Sequence, residues 1–85
     1  MNGSEIKSVE DFHTQIKELL ELPDYYGKNL DALWDCMSGW VNMPLKLIWI
    51  DYKITKNNIG GFADRALKLF DDAQKEIKGF SFECK

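Results

Sequence analysis

The sequence predicts a single α/β domain in which a small parallel sheet packs against helices. Apolar residues between positions 9 and 20 recur with the period of a helix, whereas residues 45–50 form a nearly unbroken apolar run, typical of a buried strand. Residues 80–84 alternate between apolar and polar after a further helical stretch, which indicates a second strand. Strand, helix and strand in succession predict a parallel pair joined by a right-handed crossover. The 85 residues suffice for one domain, spanning 1–85.

The first helix is predicted to begin after Ser8. Asp11 lies three residues further on, so the pair resembles a capping box with aspartate in place of glutamate. Pro23 marks the loop that follows the helix. His13 lies near the edge of the apolar stripe and is interpreted as a structural histidine at the helix flank. The stripe consists of Val9, Phe12, Ile16, Leu19 and Leu20.

A loop over residues 22–28 leads into the second predicted helix. Gly27 can adopt a positive φ and would let another backbone approach closely. Asn29 is a favourable N-cap for a helix from Leu30 to about Trp40. The face of this helix opposite its apolar side carries Asp31, Asp35 and Ser38.

The second half of the chain contains one ambiguous segment. Pro44 ends the linker before the first strand, and residues 51–58 fit either a short helix or an irregular crossover. The residues around 57–61 (Asn57, Asn58 and a glycine pair) predict a mobile loop. Apolar residues from Phe62 to Ile77 then predict a long helix, which Gly79 terminates.

The negative charge of the chain is concentrated in one segment. Between Glu21 and Ser38 there are four carboxylates and one lysine, a net charge of −3 that equals the formal charge of the whole chain. A neutral body with one acidic surface favours a positively charged partner and disfavours nucleic acid, whose phosphates it repels. Asp31 and Asp35 repel each other at i, i+4 spacing, at a cost of about 0.2–0.5 kcal/mol. This repulsion lowers helix stability and the sequence shows no structural gain from it, which indicates a function for the two acids. The alternative is an ordinary solvated helix face.

Several classes of protein are disfavoured. No apolar stretch reaches the roughly 20 residues of a membrane helix, and the N-terminus has no apolar signal region, so we expect a cytoplasmic protein. Cys36 and Cys84 are not spaced as CxxC and are expected to stay reduced. With His13 as the sole histidine, they provide neither a nucleophile–base pair nor a metal-ligand cluster. We therefore predict no catalytic residue, cofactor or metal.

One segment carries a specific resemblance. Residues 25–41 are Tyr-Tyr-Gly-Lys-Asn-Leu-Asp-Ala-Leu-Trp-Asp-Cys-Met-Ser-Gly-Trp-Val, flanked by Pro23 and Pro44. This run resembles the central segment of the barstar family, the intracellular inhibitors of the secreted bacterial ribonuclease barnase, and weaker similarity extends over most of the chain. The resemblance implies a barstar-like α/β fold with a parallel sheet of two to three strands against three to four helices. It also implies a cis Met43–Pro44 peptide.

The resemblance further implies a function. The loop and second helix of barstar plug the ribonuclease active site, and their carboxylates take the places of substrate phosphates. This chain would then be no enzyme but a one-to-one inhibitor of a basic, extracellular-type ribonuclease, with Asp35 as its central charge. Carried over by matching position, the partner-binding residues would be Tyr25, Gly27, Asn29, Asp31, Trp34, Asp35, Ser38, Gly39, Trp40 and Asp72.

The chain departs from the family pattern at three places. Lys28 stands where barstar has an acidic residue. Asp72 is one methylene shorter than the barstar glutamate at the matching position. The chain begins at Met1-Asn2-Gly3, where the family has a whole first strand before the Asn-Gly pair. Either the sheet has two strands, or a partner chain supplies the first strand, or the true start lies upstream. An edge of the 45–50 strand left unpaired predicts self-association.

Two other functions remain open at this point. One is a barstar-like adaptor or regulatory module that binds a different basic protein. The other is a hydrolase that uses Asp31 and Asp35, which is disfavoured because both are expected on an exposed helix face without the burial that would separate their pKa values.

Overall fold

The computed structural model describes residues 1–85 and confirms the predicted α/β architecture. A two-stranded parallel sheet is accompanied by four α-helices and one short 3-10 helix. In chain order these are the 3-10 helix Gly3–Glu5, α1 Val9–Leu20, α2 Leu30–Gly39, β1 Leu45–Trp49, α3 Tyr52–Ile59, α4 Gly61–Glu76 and β2 Phe80–Cys84. No helix is both long and apolar enough to cross a membrane.

Side-chain caps begin α1 and α2. The Ser8 hydroxyl accepts a hydrogen bond from the Asp11 amide at 3.0 Å, and the Asp11 carboxylate accepts one from the Lys7 amide at 3.0 Å. The reciprocal bond of the predicted capping box therefore reaches Lys7 instead of Ser8. Asn29 caps α2 through its side-chain oxygen, which accepts from the Ala32 amide at 2.7 Å. Both predicted helix starts are confirmed.

The sheet consists of two parallel strands with a short extension at one edge. β1 and β2 pair from Leu45 opposite Phe80 to Trp49 opposite Cys84. On the other side of β1, Asn2 forms a parallel bridge with Ile50. The hydrogen bonds there run from the Met1 ammonium to the Ile48 carbonyl (2.6 Å), from the Ile50 amide to the Met1 carbonyl (2.9 Å) and from the Gly3 amide to the Ile50 carbonyl (2.7 Å).

This extension corrects the expectation of a bare edge on β1. Residues 1–3 cover positions 48–50, so the edge is open only nearer the start of the strand, where the backbone of Lys46 faces away from β2. Lys46 is exposed, and a charged side chain on an edge strand discourages the addition of another strand. Only the backbone at Lys46 is left to pair with another strand, so the structure gives little support to the predicted self-association.

The ambiguous segment is the helix α3, and the predicted mobile loop at 57–61 is wrong. Asn57 and Asn58 belong to α3, and only Gly60, with φ of 62°, separates α3 from α4. Buried Thr55 fixes the helix, because its hydroxyl donates to the Gly3 carbonyl at 2.8 Å and accepts from the Trp49 indole at 3.2 Å. These long-range bonds outweigh the poor helix propensity of the asparagines. The Met43–Pro44 peptide is cis, as the resemblance implies.

One aromatic core joins the sheet to the helices. Phe12, Trp49 and Phe70 are fully buried and lie within 6.2 Å of one another, measured between ring centroids. Helix α2 contributes Leu33 and Met37 to the same core. Because only this stripe of α2 is buried, the opposite face of the helix points to solvent.

Candidate partner-binding surface

Helix α2 presents its polar face outward. Leu33 and Met37 are 0% and 1% exposed, whereas Asp31, Asp35 and Ser38 are all exposed. The buried stripe fixes the rotation of the helix, so the two carboxylates project from a rigid element. The structure thus brings the acids predicted from helical spacing to one face of the surface.

The two α2 carboxylates lack internal ion pairs. No lysine, arginine or histidine nitrogen of the chain lies within 4.0 Å of Asp31 or Asp35. The flanking acids are paired instead: Asp24 lies 3.6 Å from the Lys17 ammonium, and Asp72 lies 3.4 Å from that of Lys68. Asp31 and Asp35 therefore carry unpaired negative charge, whereas Asp24 and Asp72 are partly neutralised.

The loop before α2 is held from beneath by a buried hydrogen bond. His13 Nδ1 and the Tyr26 hydroxyl lie 2.6 Å apart, and His13 is only 1% exposed. Burial lowers the pKa of His13, and the nearby Lys28 charge lowers it further, so the imidazole is neutral. Burial likewise raises the pKa of Tyr26. The interpretation of His13 as a structural histidine is confirmed, and the loop covers the side of α1 on which it lies.

The two tyrosines of the loop point in opposite directions. Tyr26 is buried against His13, whereas Tyr25 is 79% exposed. The ring of Tyr25 meets the ring of Trp40 edge-on, with centroids 6.3 Å apart. Trp40 is 50% exposed, and its indole N–H donates to the Glu21 carbonyl at 3.1 Å. One end of the surface is thus an exposed aromatic pair.

Residues 27–29 connect the loop to α2. The structure corrects the predicted backbone at Gly27: the positive φ, 51°, falls on Lys28 instead. Glycine relieves a tight contact at position 27, because a Cβ there would lie 3.3 Å from the Ala32 Cβ. The Asn29 amide donates to the Gly27 carbonyl at 3.3 Å while its oxygen caps the helix.

The other predicted contact residues lie along α2 and on α4. The Ser38 hydroxyl donates to the Trp34 carbonyl at 2.8 Å, and a Cβ at Gly39 would meet nothing within 4 Å. Trp34 is half-buried and lines a groove between α2 and α4 together with Asp31 and Asp72. The ten predicted residues therefore lie on the loop, on α2 with its C-cap and, for Asp72, on α4.

One cysteine, Cys36, lies next to Asp35 on α2. The thiol of Cys36 is partly buried, and burial followed by the negative charge of Asp35 raises its pKa. No three histidine, cysteine, aspartate or glutamate side chains cluster in a way that could hold a metal ion.

Comparison with known proteins identifies the family. A protein-family model described as "Barstar (barnase inhibitor)" matches residues 1–85. The chain belongs to the barstar family. A protein of Bacillus subtilis (strain 168) named "Putative ribonuclease inhibitor YrdF" is 41% identical over 78 residues, which cover 92% of this chain and 86% of that protein. Barstar-family proteins are inhibitors, so the chain is not an enzyme and the hydrolase alternative is excluded.

Sequence reasoning missed two cations on this barstar-family surface. Arg65 and Lys68 of α4 line the same groove as Asp31 and Asp72. The i, i+4 spacing of Lys68 and Asp72 could have revealed their ion pair, since residues so spaced are neighbours on a helix. No comparable signal links Arg65 to α2, because that proximity depends on how the two helices pack.

Proposed function

We propose that this barstar-family chain is a cytoplasmic inhibitor of a basic, secreted, barnase-like ribonuclease, which it binds one to one. The observation that carries the proposal is the pair of unpaired, exposed carboxylates on α2, Asp31 and Asp35. In this proposal the face of α2 enters the ribonuclease active site, and Asp35 takes the place of a substrate phosphate.

The chemistry of the target supports phosphate mimicry. A ribonuclease must hold the negatively charged backbone of RNA, so its active site contains cationic groups. A carboxylate that enters such a site accepts charge-assisted hydrogen bonds, which are shorter and stronger than neutral ones. Because Asp31 and Asp35 have no internal cation to release, their charges are available to the partner at once.

The remaining residues support this central contact. Tyr25 is the most exposed large side chain that the surface offers for packing, and Gly27 admits a close backbone approach. Trp34 and Trp40 flank the acids and can cover the apolar stems of partner cations. Asp72 contributes at the periphery, where Lys68 already shares its charge. The other predicted contacts are Asn29, Ser38 and Gly39.

The substitution Asp35→Ala tests the proposal. It would leave the partner's cations buried and unpaired, at a cost on the order of 3–5 kcal/mol, so inhibition of barnase should weaken by roughly 10²–10⁴-fold. The fold should be kept or improved, because alanine is the better helix former and repulsion with Asp31 disappears. Inhibition and the thermal midpoint should be measured on the same sample.

Asp71→Ala is the matched control, because it also removes one aspartate from a helix face. Asp71 is paired with Lys75 at 3.1 Å and lies outside the predicted contacts. Its inhibition should stay within a few-fold of the unmodified chain. If Asp35→Ala retained inhibition to the same degree, the role assigned to Asp35 would be refuted.

A further inference from the structure

A surface groove extends beyond the ten proposed contact residues. It has a volume of about 400 Å³ and adjoins the proposed surface at Trp40, which forms part of its wall. Leu20, which is 7% exposed, and the half-buried Leu45 lie deep in the groove, whereas Leu19 on its rim is 51% exposed. A concavity of mixed polar and apolar surface therefore continues the surface toward the C-terminal end of α1.

Trp40 is fixed in position within this groove. Its indole N–H is bonded to the Glu21 carbonyl at 3.1 Å, and the ring of Tyr25 lies edge-on to it. The indole nevertheless remains half exposed. A large aromatic ring that is already held in place loses little conformational freedom on binding, which is typical of the residues that dominate interfaces.

The charge of the groove selects the chemistry of an occupant. Its seven lining residues include five hydrophobic ones, a single carboxylate and no lysine or arginine. The acidic residue is Glu21, whose carboxylate has no ion-pair partner within 4.0 Å, and which also borders a neighbouring groove together with Lys17 and Lys28. A purely aliphatic occupant would desolvate this carboxylate without compensation, whereas a cationic side chain with an apolar stem would satisfy both parts of the groove.

We propose that this groove receives an arginine side chain of the ribonuclease. The stem packs on Leu19, the planar guanidinium stacks on Trp40, and its N–H groups donate to the Glu21 carboxylate. Arginine fits better than lysine because its planar group stacks on aromatic rings and donates two parallel hydrogen bonds to a carboxylate. The inference rests on the proposed function and adds a second cation-binding point beside the α2 acids.

A first experiment tests the groove without a ribonuclease. The 15N-labelled chain is titrated with the peptide acetyl-Arg-Arg-amide, and the three tryptophan indole N–H resonances are followed. The resonance of Trp40 should shift and that of fully buried Trp49 should not. In the variant Glu21→Gln the shift at Trp40 should shrink. Shifts confined to residues 31–35, with none at Trp40, would overturn the inference.

A second experiment uses the complex with barnase. Glu21→Gln and Trp40→Leu should each accelerate dissociation by about 3–30-fold, in the range expected for a desolvated cation–π contact and a charge-assisted hydrogen bond. Glu18→Gln is the matched control, since it removes the same charge one turn earlier on α1 from a residue outside the groove. Its dissociation rate should stay within twofold of that of the unmodified chain.

The outcomes separate this inference from the proposed function. Potent inhibition by the unmodified chain, combined with equal dissociation rates for Glu21→Gln and Glu18→Gln, would overturn the groove assignment and leave the α2 mechanism standing. Absence of inhibition by the unmodified chain would overturn the function and, with it, the arginine's assignment to a ribonuclease.

Discussion

Helices α2 and α4 use aspartate in opposite ways. On α4, Asp64 is bonded to the Lys56 ammonium, Asp71 lies 3.1 Å from that of Lys75, and Asp72 lies 3.4 Å from that of Lys68. On α2, Asp31 and Asp35 have no cation of the chain within 4.0 Å.

The difference distinguishes acids used within the fold from acids left available to a partner. Hydrogen bonds lower the pKa of Asp64, chiefly the one from Lys56, and that of Asp71, chiefly the one from Gln74. Such exposed pairs add little stability, but each lysine cancels the distant field of its aspartate. The acids of α2 keep their field, so the two helices should affect an approaching cationic protein very differently.

Salt should have the largest effect on this comparison. Ions screen charges over about 10 Å at 0.1 M, so association with barnase should slow by an order of magnitude or more between dilute and high salt. The variant Asp31→Asn/Asp35→Asn should flatten this dependence, whereas Asp64→Asn/Asp71→Asn changes the net charge equally but outside the proposed surface and should flatten it less. Stopped-flow association rates provide the measurement. Equal salt slopes for the two double variants would show that the α2 acids have no special part in steering.

Acid should destabilise the fold through His13, which supports the loop before α2. His13 has a lowered pKa in the fold and titrates near 6.5 when unfolded, so the unfolded chain binds the extra proton. The stability from the neutral imidazole is fully present above about pH 6.5 and is lost as the pH falls, by up to about 1.4 kcal/mol per pH unit. Urea unfolding between pH 6.5 and 5 checks this slope.

The variant His13→Gln is the control for that measurement. It cannot take up the proton, so its stability should be nearly flat between pH 6.5 and 5, whatever its absolute value. A slope equal to that of the unmodified chain would assign the pH dependence to other groups.

Reversing the charge at Lys28 should change association several-fold. Lys28→Glu makes the local charge next to α2 more negative by two units and should speed the encounter with a cationic partner. The matched change Lys53→Glu on α3 lies outside the proposed surface and should have a smaller effect. A slower association for Lys28→Glu would mean that the partner carries an acid opposite this position.

Releasing one aspartate of α4 should have the smallest effect, about twofold on association. Lys68→Gln removes the partner of Asp72 and so makes this acid resemble those of α2. Dissociation should also become slower, because Asp72 no longer has to leave Lys68 in order to bind the partner protein. Surface plasmon resonance at low salt can resolve the change, and unaltered rates would place Asp72 outside the interface.

Much of the fold follows from local patterns in the sequence. Ser8 and Asn29 mark helix starts because their side chains bond amides within the next three residues. The unbroken apolar run of β1 and the alternation of β2 both identify strands. A strand buried on two faces is apolar throughout, whereas a strand buried on one face alternates between apolar and polar residues. The positions of Asp31 and Asp35 also follow from local pattern, since the rotation of a helix is set by its apolar stripe.

Features that depend on distant contacts could not be predicted in this way. α3 is held by Thr55, whose partners Gly3 and Trp49 lie elsewhere in the chain. His13 is buried between Tyr26 of the loop and Phe62 of α4. Within the surface, the pairing of Asp72 with Lys68 was locally visible, but the proximity of Arg65 to α2 required the packed structure.

The two hydrogen bonds of the Asn29 side chain limit how the sequence of this surface can change. One side chain starts α2 and ties the Gly27 carbonyl to it, so a change at position 29 that suits a new target would also disturb the helix. Lys28, Asp31 and Asp35 carry no such internal duty in their side chains. Adaptation to a different enzyme can therefore proceed at these three positions while the scaffold that presents them stays intact.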